Sequence, residues 1–217
     1  DWLKSAGAFW SARTLLVNQR PEEVTKMLEL GAQYHFTFYG LISKRALGEK
    51  LDFNWEQPPI NKYVFQRISD TLYGSRALAL LQIGFKQESQ KELLTLAAAK
   101  PSLQSDIIKL AINMNLPSLS LKIAHIADAS IRNTALYPIP EWDLQNKLTL
   151  DRALIYAFIR QESAFNERAK SPAGARGLMQ LMPRTASFIS GKKSLRGRGK
   201  DELYNPVLNI LLGQKYI

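Results

Sequence analysis

Cysteine is absent from the 217 residues. That excludes a disulfide framework, a cysteine nucleophile and any thiolate metal site, and it fits an exported bacterial protein. Histidine is scarce: His35 and His125 are the only two. Each stands alone in a helical stretch and reads as a packed or surface side chain, and no residues are spaced to hold a metal. No apolar run reaches the ~18–20 residues of a membrane span. Period-two alternation is nearly missing, so no sheet is expected. The opening "DWLKSAGAFW" lacks the basic start, apolar core and cleavage site of a signal peptide. A cytosolic protein, a mature exported one and a fragment of something longer all fit.

What is present is a 46% hydrophobic composition, enough for a real core, and a net charge of +10. Such a charge favours a polyanionic partner: nucleic acid, anionic lipid or an anionic cell-wall polymer. Residues 141–217 hold 13 Lys/Arg against 7 Asp/Glu, so this smaller part supplies +6 of the +10. Much of it lies in "GKKSLRGRGK", residues 191–200, with five basic residues and no acid. The stretch reads either as a solvated flexible loop or as a basic rim near an anionic ligand.

The first part of the chain is helix after helix. "RPEEVTKMLEL" places Pro21 in a first turn, with Glu22 and Glu23 complementing the helix dipole. Gly31 either ends that helix or is absorbed into it. "QYHFTFYGLISKRALGEK" closes near Gly48, and further short segments begin at Ser or Pro and end near Gly or Asn. Short helices with brief connections and no strict repeat predict an irregular superhelix or solenoid; a compact bundle is the alternative. "LYPIPEWDLQNKL" breaks the pattern, because Pro138 and Pro140 cannot sit inside a regular helix. A domain boundary is therefore expected around 137–148. A new helix follows, with Thr149 as its N-cap and Asp151 and Arg152 in its first turn.

That helix ends in "IRQESAFN", which places a carboxylate after a strongly apolar run. At ~100° per residue, Ile155, Phe158 and Ile159 lie within about 60° of Glu162. A carboxyl among apolar side chains holds its proton more tightly than one in water. Kept protonated, it can donate to a leaving group. The alternative is that Glu162 swings to solvent beyond the helix end and pairs with Arg160 or Arg168. Downstream, "SPAGARGLMQLMPRTA" sets Gly174 and Gly177 around a tight loop where backbone can approach a ligand. Gln180 is the polar member of an apolar group, and a primary amide both donates to and accepts from sugar substituents. Of Met179 and Met182, one is expected in the core. The loop lacks the Gly-Lys-Ser/Thr ending of a phosphate loop.

The pieces "RQESAFN", "SPAGARGLMQLMPRTA" and "LYNPVLNILLGQKYI" resemble, in combination, the catalytic domain of lytic murein transglycosylases of the soluble type. "FTFYGLISKRALG" and "LYPIPEW" are similar to the helical superhelix of the same family. The resemblance implies an all-α protein. An irregular superhelical scaffold would cover 1–140, and a lysozyme-like, mostly helical catalytic domain 141–217. It implies that Glu162 is the single catalytic acid/base. Ser171 would bond near it or polarise the substrate's acetamido group. Gln180 and Met182 would line the sugar subsites, and Gly177 would let the backbone approach. Ser163 is expected to make a structural bond at the helix end. The implied partners are peptidoglycan glycan strands in the periplasm, with room for cell-wall proteins. No nucleic acid, membrane span, metal or cofactor is implied. The family also has an Ala-Tyr-Asn-Ala-Gly type motif and a late tyrosine after the segment ending at Ile217, so the catalytic domain is expected to be incomplete here.

Ordinary glycosidases use two carboxyl groups, ~5–5.5 Å apart when retaining and ~6.5–9.5 Å when inverting. No second acid lies in these motifs. Asp151 is three turns back, Glu167 has no evident reason to face a cleft, and Asp201 and Glu202 fall in a basic loop. One carboxyl acting twice is the expected chemistry, leaving a 1,6-anhydromuramic end. The alternatives are a muramidase of the goose-type lysozyme kind, which hydrolyses with water, and a non-catalytic helical scaffold. A nucleic-acid binder has only the charge in its favour and no motif.

Overall fold

Helix punctuation decides the architecture. The computed structural model describes residues 1–51, 53–127, 129–144 and 147–217. Among the described residues there are twelve α-helices, four short 3-10 helices and no strand beyond isolated bridges, so the expected all-α class holds. The chain divides into two compact units, Asp1–Phe53 and Asn54–Ile217.

The first unit is three helices: α1 (Trp2–Val17), α2 (Pro21–Ala32) and α3 (Phe38–Ala46). Pro21 occupies the first turn of α2, with Glu22 and Glu23 beside it, where the missing proline N–H and the negative charges are least costly. Gly31 is absorbed into α2 rather than ending it. A Cβ there would stand 2.6 Å from Ser43 Oγ, so the glycine lets α2 and α3 approach.

The second unit begins with α4 (Lys62–Ser69), α5 (Leu72–Gln82), α6 (Lys86–Ala99), α7 (Gln104–Asn113), α8 (Pro117–Ile123) and α9 (Ala129–Leu136). They enclose one core, in which Ile68, Leu93, Ile107, Ile108 and Leu119 are fully buried. Each such side chain contributes roughly 1.5–3 kcal/mol on leaving water. Then come α10 (Arg152–Ser163), α11 (Pro183–Ser190) and α12 (Pro206–Gly213). These form two smaller cores, one around Ile155, Ile159, Phe165, Leu178 and Ile210, the other around Leu181, Leu195, Leu203 and Leu212. The expected boundary at 137–148 is non-helical where described; Gln145 and Asn146 of that stretch lie outside the described residues. The first core stops at Ala135 and the next begins at Leu144, yet Leu121 of α8 packs against the latter. Both therefore sit in one compact unit.

Helix α10 starts later than the sequence suggested. Its cap is Asp151, whose carboxylate accepts from the N–H groups of Ala153 (2.7 Å) and Leu154 (3.3 Å). Thr149 is used elsewhere: its N–H donates to Gln214 Oε1 at 2.9 Å. The basic stretch 191–200 is not a shapeless loop. It folds into 3-10 turns, Lys193–Arg196 and the start of Lys200–Tyr204, pinned by the fully buried Leu195, while its five basic residues are exposed.

One short repeat emerges that spacing did not reveal. Thr37-Phe38-Tyr39-Gly40 and Thr71-Leu72-Tyr73-Gly74 each open a helix, 34 positions apart (71 − 37). In both, the threonine hydroxyl accepts the glycine N–H at 3.0 Å and donates at 2.8 Å to the carbonyl three residues back, that of Tyr34 or Ile68. That carbonyl occupies the space a Cβ on the glycine would need. Only glycine therefore fits three residues after each cap. We expect Gly74→Ala to destabilise the second unit by about 1–3 kcal/mol through overpacking and Thr71→Ala by about 1 kcal/mol through loss of the cap. Urea denaturation followed by circular dichroism measures both.

Candidate active site

The site is built at the C-terminal end of α10. Ile155 and Ile159 are fully buried, as the helical period requires, but Phe158 is 36% exposed and Glu162 is exposed. The expected half-burial of Glu162 is therefore corrected. The apolar stripe splits, its isoleucines entering the core and its last members opening onto solvent. Neither arginine offered as its partner pairs with Glu162. The Arg160 guanidinium lies 4.5 Å from the Tyr137 ring centroid, and that of Arg168 5.4 Å from Tyr204. Among the described residues Glu162 makes no ion pair.

The chain turns sharply just past it. Ala164 and Phe165 both take left-handed backbone angles, φ +48° and +61°, a conformation that costs a non-glycine residue about 1–2 kcal/mol. Burial of the Phe165 ring offsets this cost. Phe165 stacks on Trp142 (centroids 6.5 Å, 18°) and meets Tyr156 edge-on at 6.3 Å. Tyr156 in turn donates its hydroxyl to Pro140 O at 2.7 Å. Ser163 makes the expected structural bond, donating from Oγ to Ile159 O at 3.1 Å. Glu167 accepts the Trp142 indole N–H at 3.0 Å.

The glycine-rich loop folds back on itself through isolated bridges, Lys170 with Arg176 and Arg176 with Leu181. Ser171 closes its turn: Oγ accepts the Ala175 N–H at 3.0 Å. Gly177, at φ +76°, is packed inside the protein, and a Cβ would collide with Leu203 O and the Asn209 amide. Asn209 of α12 is fully buried. Its Oδ1 accepts the Met179 N–H at 2.8 Å, and its Nδ2 donates to Arg176 O (2.9 Å) and Leu203 O (2.8 Å). Arg176 is itself buried, donating from Nε to Asp201 Oδ1 at 3.2 Å and from Nη1 to Gly174 O at 2.6 Å.

Gln180 follows at φ +45°. Its Nε2 donates to Gly177 O (2.9 Å) and Ala169 O (3.2 Å), which leaves its Oε1 for a ligand. Glu162, Gln180 and Met182 meet in one open cleft of about 200 Å3, shared with Phe158, Thr185 and Tyr216. Ser171 and Gly177 do not line it. Of the two methionines, Met179 is the buried one and Met182 is 39% exposed. Thr185 and Tyr216 were missed by sequence reasoning, as were Asn209 and Arg176. The only advance signal was that a polar residue inside the apolar "VLNILL" must have buried partners.

A family model described as the transglycosylase SLT domain matches residues 142–217. The soluble lytic murein transglycosylases of Salmonella typhimurium and Escherichia coli K12 are 27% and 26% identical over 220 residues, covering 99% of this chain and 34% of each relative. The chain thus spans about a third of the length of these curated relatives. The crystal structure of the 70 kDa soluble lytic transglycosylase Slt70 from Escherichia coli superimposes with a TM-score of 0.79 at 26% identity, over 98% of this chain and 35% of that one. An inactive glutamate-to-glutamine mutant of lytic transglycosylase Slt from Pseudomonas aeruginosa gives 0.76 at 25% identity, with the same coverage.

Within the matched residues, Asn209 is the tie between α12 and the loop bearing Gln180. We expect Asn209→Leu to destabilise the protein by about 3 kcal/mol or more. The substitution leaves the Met179 N–H and the Leu203 carbonyl without the Asn209 amide, at about 1–3 kcal/mol for each group left buried and unsatisfied, while Arg176 O keeps the Leu181 N–H at 3.1 Å. A fall in the urea midpoint checks this.

Proposed function

We propose that the chain acts on peptidoglycan as a lytic transglycosylase, with Glu162 as its single acid and base. The observation that carries this reading is the cleft. Glu162 is the one acidic side chain among the described residues lining it, and it stands in the last turn of α10, within the residues that match the family model. The likeness to transglycosylases along nearly the whole chain supports the substrate class, as does the loss of activity in the relative with a glutamate changed to glutamine.

The chemistry needs one proton moved twice. Glu162 protonates the glycosidic oxygen between N-acetylmuramic acid and N-acetylglucosamine, and the C1–O bond breaks. The substrate's acetamido group holds the cationic centre. The Glu162 carboxylate then takes the proton of the muramic C6 hydroxyl, whose oxygen attacks C1 and closes the 1,6-anhydro ring. A strand lying over Phe158 and Met182 excludes bulk water from the cleft. Gln180 Oε1 accepts from a sugar hydroxyl or amide N–H. Ser171 and Gly177 act on the site by shaping the loop, since neither lines the cleft. Residues 1–140 serve as the helical, superhelical scaffold and 141–217 as the catalytic part; the start of the family match at 142 and the separate cores on either side of it support that division. No helix among the described residues is long and apolar enough to cross a membrane, which agrees with a periplasmic site of action.

Glu162→Gln should keep its helical circular dichroism and lose release of muropeptides from sacculi by a factor of at least 100, in keeping with the 10²–10⁴-fold range of general acid–base catalysis. Mass spectrometry should find anhydro ends in the wild-type products. Ends heavier by one water would mean hydrolysis, and an unimpaired Glu162→Gln protein would remove Glu162 from the mechanism.

A further inference from the structure

Arg184 and Phe188 stand four positions apart on one face of α11, and both are exposed. Ala186 and Ser187 of the same helix turn inward and are buried. Phe188 is 89% exposed, more than any other large apolar side chain described. The turn that follows, Lys193–Arg196, is fastened to this helix, because Leu195 is fully buried in one core with Ala186 and Leu203. Backbone bonds hold its shape. The Leu195 N–H donates to Lys192 O at 3.2 Å, and the N–H groups of Gly197 and Gly199 both reach Ser194 O, at 2.9 and 3.0 Å. Lys192, Lys193, Arg196, Arg198 and Lys200 are exposed around it. With Arg184 they make six cations, and no acid interrupts the chain from Arg184 to Lys200. None of the six is ion-paired with a described residue. Two acids border the patch. Asp201 is bonded to the buried Arg176, and the Glu202 carboxylate lies against Gly199, 2.6 Å from where a Cβ there would stand. Six cations against these two leave the surface strongly positive.

We propose that this patch seats the protein on an anionic lipid bilayer, with Phe188 entering the headgroup layer and the six cations meeting lipid phosphates. An apolar ring held in water on a folded helix, ringed by Lys and Arg, combines the two attractions of an interfacial anchor, apolar insertion and charge. A single-stranded nucleic acid fits less well, because such strands stack successive bases on several rings. Phe188 is the one aromatic residue from Arg184 to Lys200, and the ring of the nearby Tyr204 already faces the Arg168 guanidinium. A small anion would use the cations and leave the ring without a partner. The association is peripheral and needs no spanning helix. The same helix sends Thr185 into the cleft of Glu162. Its eight residues measure about 12 Å, so a bilayer on the patch sets that cleft close to the membrane surface. This last consequence rests on the reading under Proposed function; the ring and its cations do not.

The test is co-sedimentation of the purified protein with vesicles of phosphatidylcholine alone, or of phosphatidylcholine with about one-third phosphatidylglycerol, at about 0.02 and 0.15 M salt. Binding to the anionic vesicles that weakens with salt is expected, with none to the neutral ones. The Lys192→Gln/Lys193→Gln/Arg196→Gln variant should bind roughly tenfold more weakly or worse, and Lys192→Arg/Lys193→Arg should bind as the wild type does. Phe188→Ser should lose roughly threefold or more. Phe188→Trp should keep the affinity, and its added fluorescence should be quenched by vesicles with brominated acyl chains. Every substituted side chain is exposed, so helical circular dichroism should be unchanged throughout. Absence of binding to anionic vesicles at low salt, equal binding to both kinds of vesicle, or an unchanged affinity in the triple Gln or the Phe188→Ser variant would each overturn the proposal. So would a lack of added quenching in Phe188→Trp, or tighter binding of a single-stranded oligonucleotide or of inorganic phosphate than of the anionic vesicles. None of these results bears on cleavage at Glu162, which is read from glycan products.

Discussion

The carboxamide of Asn209 is the interaction on which the C-terminal part of the structure depends. It sits fully buried and satisfies three backbone groups from two separate segments. Buried polar groups must be paired, so the loop over 176–179 has one low-energy position relative to α12. Gly177 follows from this, since its Cβ would occupy the space of the Asn209 amide. Met179 is held by its N–H, and Gln180, the next residue, is turned into a left-handed conformation with its amide nitrogen bound back to the loop. The cleft wall opposite Glu162 is thus set by a residue that does not touch the cleft.

The α10 side obeys the same logic with different chemistry. The Asn166 N–H closes the turn at Ala164–Phe165 by donating to Ser163 O at 3.0 Å, and packing supports it. Two left-handed residues in succession would unwind without compensation, and burial of the Phe165 ring among Trp142 and Tyr156 supplies it. Glu162 therefore lies in the last turn of a helix that the left-handed pair stops, and its side chain lines an open cleft.

The helices were legible in the sequence because their signals are local. Proline at first turns, glycine past last turns and the proline pair at 138 and 140 act within a few residues. The sequence put the cap of α10 at Thr149, whereas Asp151, two positions on, caps it; both residue types cap well, and Thr149 is engaged by Gln214, 65 positions away. Periodicity gave Glu162 the right direction but not its exposure. It orders residues around a helix axis without saying which of them a second segment covers. Resemblance to a family pointed to Glu162, Gln180 and Met182, which share the cleft, and to Ser171 and Gly177, which lie behind it. The partners of Asn209 and Arg176 could not be read because their bonds span about 25 to 33 positions. The 34-residue Thr-x-Tyr-Gly repeat was visible in principle, but its meaning lay in a carbonyl that only the folded turn brings under the glycine.

The charge of +10 separates, once folded, into groups with different physics. Arg152, Arg160 and Arg168 lie over the rings of Tyr156, Tyr137 and Tyr204 at 5.1, 4.5 and 5.4 Å, where a guanidinium stabilises packing as much as it projects a field. Arg176 is buried and neutralised locally by Asp201. The exposed cations outside any ion pair among the described residues are spread along the chain, from Lys4, Arg13 and Lys26 through Lys62 and Lys100 to the five basic residues of 192–200, so the charge count by itself marks no one site.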